Sequence, residues 1–105
     1  MGSTVERRSG QRFPITMHVK YRMYFKRKGR ILSEGHGQTV DMSHTGVRLN
    51  TRKPYPEGAT AEVSIDWPAH PEEATSLQLQ LVGLVVRSDH HGTALRIIRY
   101  RFKRD

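Results

Sequence analysis

Apolar residues recur at every second position through most of this chain, and no segment repeats them at helical spacing. Ile15, Met17, Val19, Tyr21 and Met23 alternate with Thr16, His18, Lys20 and Arg22. Ala61, Val63, Ile65 and Trp67 alternate with Glu62, Ser64 and Asp66, and Leu77, Leu79 and Leu81 with Gln78 and Gln80, a run that continues into Val82–Val86 without polar breaks. Successive side chains of a strand point to opposite faces, so such runs describe half-buried strands. Residues 94–102, rich in Leu, Ile, Tyr and Phe, add another, and shorter strands are expected over 33–40 and 47–50.

Turn-forming residues separate these runs. Lys28-Gly29 divides the first strand from the second, and residues 41–46 divide the second from the third. Residues 52–58 carry Pro54, Pro56 and Gly58, residues 68–76 form a polar loop with two prolines, and residues 89–92 read as a hairpin turn. Glu72, Glu73 and Ala74 tolerate at most one helical turn over 71–76. Six strands joined by short turns predict an all-β chain, an antiparallel sheet closed into a six-stranded β-barrel, because closure removes exposed sheet edges. The 105 residues suffice for one domain. The expected division is a flexible tail over 1–5 and a single domain over 6–105, with little or no C-terminal helix.

Charge is distributed unevenly. Of the 18 Lys and Arg residues, nine lie in the first 30 positions and five in the last ten, with none between Pro54 and Val86. Both chain ends therefore contribute to a basic face, which attracts phosphate-bearing partners. The absence of cysteine excludes disulfides, thiolate metal sites and a cysteine nucleophile. No apolar run approaches the roughly 20 residues that cross a bilayer, and the N-terminus lacks a signal-peptide pattern. The expectation is a cytoplasmic protein without membrane insertion. No paired acid and base, nucleophile motif or Gly-rich phosphate loop before a helix is present, so no enzymatic activity is expected. His90-His91 has no ligand partner at metal spacing, and no metal site is expected.

Two motifs carry the candidate chemistry. The segment Glu6-Arg7-Arg8-Ser9-Gly10-Gln11-Arg12-Phe13-Pro14 places Arg8 and Arg12 four apart, just before the first strand. Asp41-Met42-Ser43-His44-Thr45-Gly46 follows the second strand. This R-x-x-x-R followed about thirty residues later by D-x-S-x-x-G resembles the PilZ domain family. The resemblance runs from about Arg7 to Phe102 and includes Gly35, Gly37, Val47-Arg48-Leu49 and the run from Leu81 to Arg87. It implies a six-stranded antiparallel barrel that binds the bacterial second messenger cyclic di-GMP, with no other cofactor. It implies that Arg8 and Arg12 hold the ligand's phosphates and guanine faces, that Asp41 and Ser43 contact a guanine edge, and that Gly46 shapes the loop. Arg7 either contacts the ligand or shapes the start of its loop.

The side-chain chemistry agrees. A guanidinium is planar, permanently charged and forked, so it binds phosphate in bidentate fashion and also stacks on a purine or reaches its O6/N7 edge. A carboxylate accepts from the adjacent N1–H and N2–H of guanine, a pattern adenine does not present. Ser43 adds a hydroxyl that donates or accepts, and Gly46 permits a positive φ or a close backbone approach. Ligand binding is expected to order residues 5–13 and so to signal to a separate effector protein. Two alternatives stand beside this reading. One is a small basic barrel for single-stranded nucleic acid, served by Tyr21, Tyr24, Phe25, Tyr100 and Phe102; it is disfavoured because these aromatics fall largely in core register. The other is a PilZ-like interaction module that binds no nucleotide.

Overall fold

The alternating runs become six antiparallel strands in a computed structural model that describes residues 16–25, 30–67 and 77–104. They are β1 (His18–Phe25), β2 (Arg30–Met42), β3 (Gly46–Asn50), β4 (Thr60–Trp67), β5 (Leu77–Asp89) and β6 (Gly92–Arg104). They close into a barrel in the order β1-β2-β3-β6-β5-β4, with β4 pairing back to β1. The described residues contain no helix. The expected tail over 1–5, Ile15, the Lys28-Gly29 turn and the loop over 68–76 lie outside the described residues.

The core is the inward set of the period-2 pattern. Val19, Tyr21 and Met23 from β1 meet Ala61, Val63 and Ile65 from β4, Leu79, Leu81 and Val85 from β5, and Val47, Leu49 and Leu95 from β3 and β6. Register follows from this burial, since a one-residue slip would send every such side chain to solvent.

Four β-bulges bend the long strands so that so small a sheet can close. They fall at Leu32 and Val40 on β2, Val86 on β5 and Ile98 on β6, each an extra residue skipped in the pairing. Val40, Val86 and Ile98 are consequently exposed although apolar. β5 keeps its alternation through Val85, with Val82 and Leu84 half-buried on the other face, and the bulge at Val86 then breaks it.

The crossover from β3 to β4 closes one end. Tyr55 is buried there, edge-on to Tyr21 with ring centres 6.0 Å apart. Its backbone N–H donates to Ser88 Oγ at 2.9 Å, while Gly58 N–H donates to Val85 O and Val85 N–H to Ala59 O. Beneath it Ser88, Thr93 and Thr51 form a chain of hydroxyls 2.7 Å apart, and Thr51 donates onward to Lys53 O. The polar groups of this plug are thus bonded to one another, as burial requires. Gly92, at the β5–β6 turn beside it, has φ +141°, and a Cβ there would lie 2.7 Å from Leu49 O. Glycine is therefore required on both counts.

Candidate functional site

The second motif lies at the opposite end of β3, where β2 turns into β3. Ser43 shapes this turn. Its backbone N–H donates to Gly46 O at 2.8 Å, and its Oγ accepts from Thr45 N–H at 3.3 Å and Gly46 N–H at 3.2 Å. Its own proton has Thr45 Oγ1 at 3.3 Å and Gly46 O at 3.4 Å as acceptors. A hydroxyl offers one donor and two acceptor positions, so the capacity of Ser43 is taken up within the turn, and the residue is 4% exposed. Serine side chains commonly fold onto nearby backbone in this way. The turn is also anchored to the barrel, because Ile97 N–H donates to Thr45 O at 2.9 Å.

Asp41 faces outward because of the bulge one residue earlier. Thr39 is buried and pairs with Leu49, Val40 is skipped, and Asp41 pairs with Arg48. In an unbroken strand Thr39 and Asp41 would share the inner face. The extra residue moves Asp41 to the outer face and returns Met42 to the core. Arg48 lies opposite it on β3; farther across the sheet, Ala94 on β6 and then Arg87 on β5 follow Arg48, and Arg96 lies opposite Gly46. The sequence reading did not single out Arg48, Arg87 or Arg96. Their signal was cross-strand register, which no local spacing reveals.

Gly46 is the first residue of β3 and is buried. The described residues with positive φ are Gly58 and Gly92, so of the two roles open to Gly46, a positive φ or a close backbone approach, the first is not taken, and Gly46 occupies strand backbone. His44 is exposed. Arg7, Arg8 and Arg12 lie outside the described residues. The start of β1 is nonetheless beside the turn's strand, because Met17 N–H donates to Thr39 Oγ1 at 2.8 Å and Thr39 N–H to Met17 O at 2.9 Å.

A groove of about 900 Å³ crosses the outer face of the sheet over Lys20, Arg22, Glu34, His36, Glu62 and Arg99. Neither Asp41, Ser43 nor Gly46 lines it. Much of its charge is matched internally: Arg22 lies 3.1 Å from Glu34 and 3.7 Å from Glu62. Tyr24 donates to Glu62 at 3.0 Å, and burial followed by this bond raises the Tyr24 phenol above its ordinary value. The motif turn is therefore the better candidate. The aromatics divide. Tyr21 is buried and Tyr24 and Phe25 are half-buried, as their register predicts, whereas Tyr100 and Phe102 are exposed. Trp67 is half-buried, edge-on to Phe102 at 5.2 Å.

A family model described as PilZ domain matches residues 6–104. The chain belongs to the PilZ family. That span covers both motifs and all six strands. PilZ membership is consistent with a cyclic di-GMP-binding role, and PilZ domains are typically non-catalytic receptor modules. No curated protein matches the chain. Among the described residues no helix is long and apolar enough to cross a membrane.

Proposed function

We propose that this PilZ domain, residues 6–105 as one unit, binds cyclic di-GMP between the R-x-x-x-R segment and the β2–β3 turn. The observation that carries the reading is the outward rotation of Asp41 by the Val40 bulge, on a turn held in shape by Ser43. Arg8 and Arg12 hold the phosphates and stack on guanine, and Arg7 supports them. Asp41 accepts from the guanine N1–H and N2–H edge. Ser43 and Gly46 contribute by fixing the turn under the ligand, which replaces a direct hydroxyl contact from Ser43.

Chain length allows the two motifs to meet. Arg12 is five residues before Met17, a reach of at most about 17 Å, and Met17 is bonded to Thr39, two residues from Asp41. Binding orders residues 5–13 and presents a ligand-dependent surface to a separate effector protein.

Calorimetric titration of the chain with cyclic di-GMP tests the proposal, with cyclic di-AMP as control. Saturable heat is expected for cyclic di-GMP alone. Arg8→Ala is expected to weaken binding by about 100-fold or more, since a charge-assisted bidentate contact contributes roughly 1.5–3 kcal/mol and stacking adds to it. No heat from a folded wild-type sample would overturn the reading. Amide exchange over residues 5–13 that is equal with and without ligand would overturn the ordering.

A further inference from the structure

A second cluster of polar side chains stands on the outer face where β1, β2 and β4 run side by side. His18 pairs in register with Gln38, and Lys20 with His36, so the two histidines are diagonal neighbours on adjacent strands. His18 Nε2 lies 3.3 Å from His36 Nδ1. Their ring centres are 5.3 Å apart, with the planes inclined at 35°. On its other side His18 Nδ1 lies 3.2 Å from Asp66 Oδ2. Asp66 Oδ1 in turn accepts from Gln78 Nε2 at 3.5 Å. The His18 and Asp66 side chains are 51% and 62% exposed, so an ion in solution can reach them.

Two arrangements bring imidazole nitrogens this close. A linear N–H···N hydrogen bond of that length puts the ring centres roughly 5.6 Å apart, because each centre lies a little over 1 Å behind its nitrogen. Two imidazoles on one tetrahedral ion, with metal–nitrogen bonds of about 2.05 Å, put the nitrogens roughly 3.3 Å and the centres roughly 5.2–5.3 Å apart. The observed centres, 5.3 Å apart, are closer than in the linear bond and fit either a bent hydrogen bond or a shared ion.

Asp66 supplies an independent observation. Histidines that ligate a metal commonly donate their other ring N–H to a carboxylate, which fixes the tautomer and raises ligand basicity. In the tautomer whose Nδ1–H faces Asp66 Oδ2, His18 offers a lone pair at Nε2. His36 offers one at Nδ1 once its proton resides on Nε2.

We propose that His18 and His36 form a site for a divalent late transition-metal ion, Zn²⁺ above all, with Asp66 orienting the His18 ring. Among the described residues no group of three or more His, Cys, Asp or Glu is placed to hold an ion. The protein therefore supplies two ligands, and water or a donor from another molecule completes the coordination. Lys20, opposite His36, opposes the ion's charge, and Asp66 offsets it. Imidazole ligands favour Zn²⁺, Cu²⁺ and Ni²⁺ over Mg²⁺ and Ca²⁺. The ion ties the first residue of β1 to β2, six residues after Arg12 of the R-x-x-x-R motif.

The test is calorimetric titration of Zn²⁺ into the untagged full chain near neutral pH, with thermal unfolding as a second readout. One ion per chain and a raised unfolding temperature are expected, with no response to Mg²⁺. His18→Ala and His36→Ala, both at exposed strand positions, should each weaken Zn²⁺ binding by at least about tenfold, and Asp66→Asn by about tenfold. The exposed turn pair serves as the control: His90→Ala with His91→Ala should leave binding unchanged. No heat from the folded wild type, unchanged affinity in His18→Ala and His36→Ala, or loss of binding in the His90 and His91 variant would each overturn the proposal.

Discussion

The two ends of β3 solve different problems with similar side chains. At the β5–β6 end, Asp89 folds its carboxylate onto the adjacent turn and accepts from His91 N–H at 2.8 Å, a bond that lowers the Asp89 pKa below its ordinary value. The neighbouring hydroxyls of half-buried Ser88 and buried Thr93 and Thr51 are bonded to one another under Tyr55. At the β2–β3 end, Ser43 takes over the capping of the turn, and the carboxylate of Asp41 is turned to the outer face, opposite Arg48 in register. One end consumes its polar groups in holding the barrel shut. The other holds its turn with a neutral hydroxyl, and its carboxylate stands on the outer face of the strand. A carboxylate that caps its own turn, as Asp89 does, is spent on structure.

This contrast can be broken most severely at Asp41 itself. Asp41→Ala keeps the Val40 bulge and removes the outward carboxylate. Loss of cyclic di-GMP affinity is expected, by about tenfold to 100-fold in calorimetric titration, since a charge-assisted hydrogen bond contributes roughly 1.5–3 kcal/mol. Val40→Ala keeps the extra residue and should bind as wild type. Equal binding by Asp41→Ala would remove this carboxylate from the site.

Ser43→Ala probes the division of labour with a smaller effect. It leaves the Thr45 and Gly46 N–H groups without their acceptor, at a cost of about 1–3 kcal/mol in urea unfolding. The affinity for cyclic di-GMP should fall only several-fold, through a loosened turn. A variant of wild-type stability with a large loss of affinity would instead make Ser43 a direct ligand contact.

The mildest test addresses the plugged end. Burial, aided by the neighbouring Tyr55, pushes the Tyr21 phenol up to about 12. A folded-state pKa above the ordinary value stabilises the fold fully below pH 10, and that contribution is lost as pH rises through about 12. Wild-type stability should therefore decline between pH 10 and 12, and Tyr21→Phe should decline less over the same window. Parallel pH profiles would show that Tyr21 does not titrate within the fold.

The local pattern was enough for much of this architecture. Alternation is a property of neighbouring residues, so the six strands, the 89–92 hairpin and the inward set Val19, Tyr21, Met23, Val63 and Ile65 were legible without coordinates. Strand ends were less so: β2, β5 and β6 each run to 13 residues, because pairing continues across bulges where alternation lapses. Tyr100 and Phe102 keep core periodicity yet are exposed, which only the placement of their strand in the barrel decides.

The candidate site divides along the same line. Residue types and spacing were sufficient to single out Asp41, Ser43 and Gly46, because a D-x-S-x-x-G run carries its turn chemistry within six residues. Their separate roles depended on the fold. A carboxylate's face depends on whether a neighbouring residue is skipped in pairing, and that is a relation between strands. The same holds for Arg48 opposite Asp41 and for His18 beside His36, 18 positions apart in the chain. Sequence determined which chemistry the chain carries and the period of its strands. Tertiary structure decided which groups meet and which face solvent, because register and bulges are set by closing the whole barrel around one core.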